Sequence, residues 1–224
     1  MMYRLLKLQL LRWLGCLALL QMISERPTPS GPHMKLGNFV VAQDSTNSDE
    51  NAVNVNDQLV QAANSNDSQA ILDALHNGAN INFQEQGSGQ TVLMSSTLRG
   101  LDESVRTLLK NGADPSITEK DGYGPPHGAG FQGRAEVMRI LHEEFNIDVL
   151  KDEHPDGYLP FHRACWGRAP RHTDTVRYLL ELGIDFNTPA KNGRTCWEMT
   201  SNPGTKALLE EYGAVGSADS EFEL

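Results

Sequence analysis

The chain has 224 residues, which is enough for one or two domains, and it carries 29 acidic residues against 19 Lys and Arg, a net charge of -10. An acidic chain repels phosphate backbones, so the composition argues against sequence-independent binding of nucleic acid and favours a basic or neutral partner. Three cysteines cannot form a closed framework of disulfides, which excludes a small disulfide-stapled fold.

The first 24 residues have the pattern of a secretory signal peptide. They contain three basic residues and no acid, and the 11-residue apolar run WLGCLALLQMI follows the last basic residue. This run is shorter than the ~20 apolar residues that a membrane-spanning helix needs. We therefore expect residues 1–24 to direct the chain into the secretory pathway, for secretion or for the ER lumen. An uncleaved signal anchor, which would attach the chain to a membrane, and import into an organelle such as the mitochondrion are the alternatives.

The segments on either side of the remaining sequence are polar. Residues 25–56 are rich in Pro, Ser, Gly and Asn and contain few large apolar residues, so they cannot bury enough surface to offset the entropy of ordering. We expect a flexible linker there and an acidic tail at residues 215–224. The tail ends in Glu-Leu and shares only those last two residues with the KDEL retrieval signal.

Residues 57–214 contain an internal repeat. Four segments end alike, and three begin alike. The endings are LHNGANIN (75–82), LLKNGADPS (108–116), LHEEFNIDV (141–149) and LLELGIDFN (179–187), and the beginnings are DGYGPPHGAG (121–130), DGYLPFHRAC (156–165) and NGRTCWEMT (192–200). Apolar residues at helical spacing lie between each beginning and ending, so the pattern predicts helical structure in each unit.

These segments resemble the ankyrin repeat, whose unit opens with a D-G turn and a T-P-L-H helix start and closes with L-L-x-x-G-A-D. The position of the motif His falls at Val60, Met94, His127, His162 and Glu198, at intervals of 34, 33, 35 and 36 residues. The family interval is about 33 residues. The resemblance implies an all-α solenoid of about five helix pairs joined by β-hairpin-like turns, with divergent capping repeats at both ends.

The resemblance also assigns structural roles. In the family the motif His forms a hydrogen bond across the turn between repeats, which implies this role for His127 and His162. Glycine two residues past a helix supplies a positive φ, and we expect this of Gly78, Gly112 and Gly183. Repeat 4 carries extra residues near 168–174, which predicts an enlarged loop between its two helices.

Other motifs do not support a catalytic or cofactor-binding function. The segment 128–133 matches G-x-G-x-x-G, but it follows two prolines within the predicted first helix of repeat 3 and no strand precedes it. Its extra glycines either admit a close approach by a partner or reflect drift. We expect no cofactor, no metal site and no enzymatic activity. An active site hidden in the groove or in the repeat 4 loop is the alternative from another class.

Single residues outside the repeat motif are assigned as follows. His154 and His172 are expected on exposed loops. Cys165 and Cys196 are expected to be buried free thiols, because adjacent repeats stack about 10 Å apart and a disulfide needs Cα atoms within about 7 Å. Asn66 begins the sequon Asn-Asp-Ser in a polar loop of repeat 1, so it is the expected glycosylation site if the chain enters the secretory pathway.

Repeat register aligns two rows of side chains that are exposed and variable in the family. One row lies four residues after the motif His position, and the other lies four residues before it. The candidate partner-binding residues are Leu98, Phe131 and Trp166 in the first row, Arg99 and Gln132 beside it, and Gln90, Tyr123, Tyr158 and Arg194 in the second row. Aromatic residues and Arg are enriched at interface hot spots. Packing of these aromatics on one another and on the hairpins is the alternative.

The function that follows is a monomeric, non-catalytic scaffold that binds another protein through the concave face and the hairpin tips. The alternative is a lumenal or membrane-tethered, chaperone-like factor that holds unfolded clients on the aromatic rows. Broad and weak binding of many unfolded peptides would distinguish this alternative from a scaffold with one partner.

Overall fold

A computed structural model describes residues 54–152 and 154–214. The predicted signal peptide, nearly all of the predicted linker and the predicted acidic tail lie outside these residues. Within them the chain forms five helix pairs and no strand, and the prediction of an all-α repeat solenoid is confirmed. The first helix begins at Val55, two residues before the expected start of the repeats at residue 57.

The helices of the described part follow one another as inner and outer members of each pair. Their bounds are α1 (Val55–Asn64), α2 (Ser68–His76), α3 (Val92–Arg99), α4 (Asp102–Lys110), α5 (Pro125–Gln132), α6 (Ala135–Arg139) continued by a π-helix (Ile140–Glu144), α7 (Pro160–Cys165), α8 (Pro170–Glu181), α9 (Cys196–Met199) and α10 (Pro203–Glu211). Turns join the pairs, with an isolated antiparallel bridge between Gln84 and Thr91 in the first of them.

The pairs stack because no pair can bury its own apolar face. The inner helices α1, α3, α5, α7 and α9 pack successively on one another, and the outer helices form a second layer behind them. Large side chains from both layers fill the space between the layers. Those that are fully buried include Leu59, Ile71, Leu93, Leu108, Met138, Ile140, Leu141, Phe161, Leu179, Leu208 and Leu209. One continuous core therefore runs through all five repeats.

The N-termini of the inner helices are capped by different residue types. The backbone N–H of Leu159 donates to Nδ1 of His162 at 3.0 Å. In repeat 5 the backbone N–H of Thr195 donates to the carboxylate of Glu198 at 2.8 Å, which gives the same bond with another residue type. In repeat 2 the hydroxyl of Thr91 accepts from the backbone N–H of Met94 at 3.1 Å. Each variant satisfies a backbone donor that the helix itself leaves unpaired.

The outer helices end where the sequence places Gly or Asn. Gly78, Gly112 and Gly183 lie two residues past α2, α4 and α8 with φ angles of 92°, 91° and 88°. Nothing lies within 4 Å of a Cβ atom built on any of them, so the backbone angle and not a close contact requires glycine. Asn146 takes the equivalent place in repeat 3 with a φ of 53°, which Asn tolerates better than most residues.

Arginines of repeats 3 and 4 bind the C-terminal end of the inner helix in the preceding repeat. The guanidinium of Arg134 donates from Nε to the carbonyl oxygen of Leu98 at 3.0 Å, and that of Arg171 donates to Gln132 at 2.8 Å. These bonds satisfy carbonyl groups that have no partner at a helix C-terminus. They also join adjacent repeats along the side of the stack where the inner helices end, away from the hairpins at which these helices begin.

The extra residues of repeat 4 lengthen its outer helix more than its loop. Helix α8 has 12 residues and begins at Pro170, a favourable first residue because proline lacks the N–H that is unpaired there. His172 therefore lies on α8 and is 5% exposed, with Nε2 at 3.1 Å from the carbonyl oxygen of Phe131. The expectation that His172 is solvated on a loop is wrong.

The glycines of α5 serve packing within the stack. Gly128 and Gly130 are both buried. A Cβ atom built on Gly130 would overlap the carbonyl oxygen of Pro160 at the start of α7, whereas one on Gly128 would come within 2.9 Å of the terminal methyl of Met94. The close approach that these glycines permit is therefore made by neighbouring inner helices and not by a partner.

The two cysteines of the repeat domain form a disulfide, which corrects the expectation of free thiols. Cys165 ends α7 and Cys196 begins α9, and their Cα atoms are 5.5 Å apart. The spacing of about 10 Å applies to the axes of regularly stacked helices. The capping helix α9 has only four residues and its first residue packs against the end of α7, so the cysteines approach more closely than the axes.

Candidate partner-binding surface

Three of the aromatic residues of the predicted rows lie around one buried arginine. Arg163 lies on α7 and is 6% exposed. Its guanidinium carbon lies 4.7 Å from the ring centre of Tyr123, 5.0 Å from that of Tyr158 and 4.6 Å from that of Trp166. The carboxylate of Asp156 forms an ion pair with the guanidinium. We call these five residues the Arg163 cluster.

The charges of the Arg163 cluster compensate one another. Burial raises the pKa of Asp156, but hydrogen bonds with His154, Arg163 and Tyr123 and the charge of Arg163 outweigh it, so this pKa is lowered overall. Burial is the main cause that raises the pKa of Tyr123. The phenol of Tyr123 stays protonated and donates to Asp156 at 3.0 Å. A buried cation needs such a partner, because an unpaired one is costly.

The hairpin after repeat 3 supports this cluster from one side. His154 stacks on Tyr123 with ring centres 4.0 Å apart, and its Nε2 lies 2.8 Å from the carbonyl oxygen of Asp121. Only 9% of its side chain is exposed. The expectation that His154 is solvated is therefore wrong, because the aromatic ring of Tyr123 covers it.

The two motif histidines connect repeats at the hairpin side of the stack. Nε2 of His162 lies 3.0 Å from the carbonyl oxygen of Thr188, in the next hairpin. Nε2 of His127 lies 3.0 Å from the carbonyl oxygen of Tyr158, and its Nδ1 lies 3.2 Å from the carboxylate of Asp152. Both rings are buried, at 3% for His127 and 1% for His162, so they belong to the scaffold beneath the surface.

Two aromatic side chains of the first row face solvent. Phe131 is 44% exposed near the end of α5, and Trp166 is 36% exposed immediately after α7. Leu98 has the corresponding place on α3 and is half-buried. Trp166 is held on one side by Tyr158, with ring centres 4.9 Å apart. Successive inner helices therefore present apolar side chains at the same level.

The other residues of the predicted rows are spread along the stack. Arg99 is exposed, while the backbone carbonyl of Gln132 accepts from Arg171. Gln90 is half-buried in the first hairpin, and the guanidinium of Arg194 binds the carbonyl oxygen of Glu198 in repeat 5. The structure brings Tyr123, Tyr158 and Trp166 together but leaves Gln90 and Arg194 at separate hairpins.

The sequon of repeat 1 lies at the surface. Asn66 is exposed with a φ of 55°, and its side-chain oxygen accepts from the backbone N–H of Ser104 at 2.9 Å. Ser68 accepts a hydrogen bond from the hydroxyl of Thr107 at 2.8 Å. Glycosylation of Asn66 stays a prediction.

Sequence reasoning missed Arg163 and Asp156. A usable signal was present, because Arg163 and Trp166 are three residues apart on one helical face and an arginine among three aromatics favours cation–π contacts. The approach of Tyr123 depends on stacking of the preceding repeat and carries no such local signal.

The described residues contain no group of three or more His, Cys, Asp or Glu side chains that could hold a metal ion. No helix of residues 54–152 and 154–214 is long and apolar enough to cross a membrane.

Comparison with known proteins places the chain in a family. A family model described as ankyrin repeats (3 copies) matches residues 59–149 and 95–190. Together these matches span more than half of the chain. The protein therefore belongs to the ankyrin repeat family, whose repeats generally mediate interactions between proteins.

Individual relatives are similar to this chain over a small part of their own length. Human 2-5A-dependent ribonuclease is 36% identical over 74 residues, 33% of this chain and 10% of that protein. Human SH3 and multiple ankyrin repeat domains protein 2 is 30% identical over 140 residues, 61% of this chain and 7% of that protein. Mouse ankyrin repeat and SOCS box protein 6 is 26% identical over 141 residues, which are 63% of this chain and 25% of that protein. The chain thus spans a quarter or less of these relatives.

Proposed function

We propose that this protein is a non-catalytic scaffold that binds one protein partner through the concave face of its repeats. The observation that carries this proposal is the exposure of Phe131 and Trp166 at the ends of successive inner helices. Aromatic side chains on a stiff support are the residues that most often dominate binding energy. The hairpin tips and the half-buried Leu98 would form the rim of this contact.

The Arg163 cluster is the support for Trp166. The indole packs between Tyr158 and the guanidinium of Arg163, so little side-chain freedom is left to lose when a partner binds. Complete burial of an aromatic side chain contributes about 1.5 to 3 kcal/mol. Phe131 and Trp166 are 44% and 36% exposed, so a partner can bury only that fraction of each side chain, and the surrounding rim contacts must supply the rest of the affinity.

The test is a double substitution with a matched control. We expect Phe131→Ser with Trp166→Ser to reduce recovery of co-purifying partners at least about tenfold, as removal of two hot-spot residues should. Tyr212→Ser is the control, because Tyr212 is 41% exposed but follows the outer helix α10. Recovery is measured by quantitative mass spectrometry of proteins that co-purify with the tagged chain, and folding by the thermal midpoint.

Two outcomes would contradict the proposal. A large fall of the thermal midpoint in the double variant would mean that the aromatics serve internal packing. Weak binding of many unfolded polypeptides, equal in wild type and double variant, would indicate a client-binding factor that does not use this surface.

We infer that the protein works in an oxidising compartment of the secretory pathway. The disulfide between Cys165 and Cys196 supports this, because such bonds are rare where thiols are kept reduced. The signal-like segment 1–24 supports it independently. Intact mass of native protein from lumenal, membrane and cytosolic fractions tests the inference. A lumenal species without its first residues is expected, whereas a full-length cytosolic species with reduced cysteines would overturn it.

A further inference from the structure

Four arginines lie at the end of the inner helices where Phe131 and Trp166 are exposed. Arg99 is the last residue of α3, Arg134 follows α5 by two residues, and Arg168 and Arg171 lie between α7 and the second residue of α8. Arg99, Arg168 and Arg171 are exposed, and Arg134 is half-buried. We call these four residues the arginine band.

Contacts fix two members of the band beside the aromatic row. Arg134 is bound to the carbonyl oxygen of Leu98 and Arg171 to that of Gln132, so each guanidinium is held at the end of the preceding inner helix. Burial and, after it, the charge of Arg171 lower the pKa of Arg134. The two guanidinium groups are thus held at the ends of neighbouring inner helices, one at α3 and one at α5.

The band is not neutralised in the way that other arginines of the protein are. Arg106, Arg139 and Arg163 form ion pairs with Glu or Asp. No residue of the arginine band forms an ion pair with an acid of the described residues. Asp102 is the carboxylate whose charge acts on Arg134, and it is the weakest of the three influences on that group.

We propose that the partner contributes an acidic segment with an aromatic or large aliphatic side chain, the carboxylates facing the arginine band and the apolar side chain packing against Phe131 and Trp166. This rests on the proposed function and specifies its partner. Guanidinium groups suit carboxylates because they donate in a fork that matches both oxygens. Two exposed aromatics next to arginines that form no ion pair within the described residues are complementary to both parts of such a segment.

The local charge here differs from that of the whole chain. The net charge of -10 alone favours a basic or neutral partner. Charges farther than ~8 Å are largely screened at physiological salt, so the band decides what binds next to it. The same net charge disfavours a nucleic acid, whose long run of phosphates would extend beyond the band.

The experiment is selection of displayed random 12-residue peptides on the immobilised full chain, followed by sequencing. Selected peptides are expected to be enriched in Asp and Glu around one Phe, Trp or Leu. The best peptide is then synthesised and its Kd is measured by fluorescence anisotropy at low and high salt, beside a version with Gln for each acid. Affinity is expected to fall in salt and with the Gln version.

Charge-reversal variants test whether the peptide binds at the arginine band. Arg99→Glu with Arg168→Glu is expected to lower the affinity for the acidic peptide about tenfold or more, and a tenfold change in Kd corresponds to ~1.4 kcal/mol. These two arginines are exposed and make no hydrogen bond within the described residues, so folding should be unaffected. Lys110→Glu with Arg177→Glu is the matched control, since it makes the same change of charge on the outer helices α4 and α8.

Each outcome separates the two proposals. Selection of neutral or basic peptides, an equal effect of both double variants, or tighter binding of a 20-nucleotide oligo(dT) probe would overturn the acidic segment. Selection of no peptide above a control protein would count against the proposed scaffold function itself. Unchanged affinity of the acidic peptide for the Phe131→Ser with Trp166→Ser variant would also overturn the contact assigned to these two aromatic side chains.

Discussion

Asp156 is the residue on which the order of the Arg163 cluster depends. Its carboxylate pairs with a guanidinium that is almost fully buried and accepts from the hydroxyl of Tyr123. Loss of the carboxylate leaves the buried charge of Arg163 without compensation. The order of the aromatic surface and the stability of repeats 3 and 4 therefore both depend on the ion pair between Asp156 and Arg163.

The lowered pKa of Asp156 predicts a dependence of stability on pH. Because the folded pKa is below the ordinary value of 3.8, the contribution is complete above that pH and is lost as pH falls through the folded pKa. Asp156→Asn should lower the free energy of unfolding by about 1 to 2 kcal/mol near neutral pH, and the difference from wild type should shrink below about pH 4. Urea unfolding at several pH values measures this, and a difference that stays constant with pH would contradict it.

The two glycines of α5 predict unequal effects for two similar substitutions. Gly130→Ala should lower the free energy of unfolding by about 1 to 3 kcal/mol, because a backbone carbonyl of α7 occupies the space of the new methyl. Gly128→Ala should be close to neutral, since the flexible end of Met94 can move and alanine favours the helix by up to ~1 kcal/mol. Denaturant unfolding compares the two. Equal effects would mean that α7 can shift away from α5.

At the scale of the element, the sequence locates the extra residues of repeat 4 but the form predicted for them is wrong. The extra residues of repeat 4 predicted a larger loop, and they mainly extend α8 from Pro170 to Glu181. In repeat 3 the outer helix ends in a π-helix over Ile140–Glu144. The spacing of the repeats in the sequence shows only that residues are added to a repeat. Whether a helix or a loop takes them depends on capping and on packing against the neighbouring repeat.

The capping element α9 predicts sensitivity to reduction. The disulfide joins it to α7 across a separation of 31 residues, and loss of a native disulfide typically costs about 2 to 4 kcal/mol. Reduction should lower the midpoint of urea unfolding and increase amide hydrogen exchange first in α9 and α10. Cys165→Ala with Cys196→Ala is the control and should no longer respond to reductant. A wild-type midpoint that is unchanged by reductant would contradict the structural role of the bond.

At the scale of the whole molecule, the fold could be predicted because its signal repeats. Turn dipeptides, helix-ending glycines and the apolar positions of several units agreed in register, which makes each unit support the others. The candidate surface could be predicted only in part. Alignment of the repeats places Phe131 and Trp166 at the same level. It does not show that Tyr123 and Tyr158 pack against the guanidinium of Arg163.

Features that depend on displacement between repeats could not be predicted from sequence. The disulfide requires the short α9 to approach the end of α7, and nothing in the spacing of Cys165 and Cys196 reports this. The arginine band likewise comes from three different loops and helix ends. Its positive charge is hidden in a composition that is acidic overall.

In the proposed function, the exposed aromatics of the inner helices contact a protein partner. The most direct measurement incorporates the photocrosslinker p-benzoylphenylalanine in place of Phe131, Trp166 or Tyr212, one at a time, in the full chain in living cells. We predict that the same partner is cross-linked from positions 131 and 166 and not from position 212. Cross-linking of different proteins at all three positions, or of a partner at position 212 alone, would contradict the account.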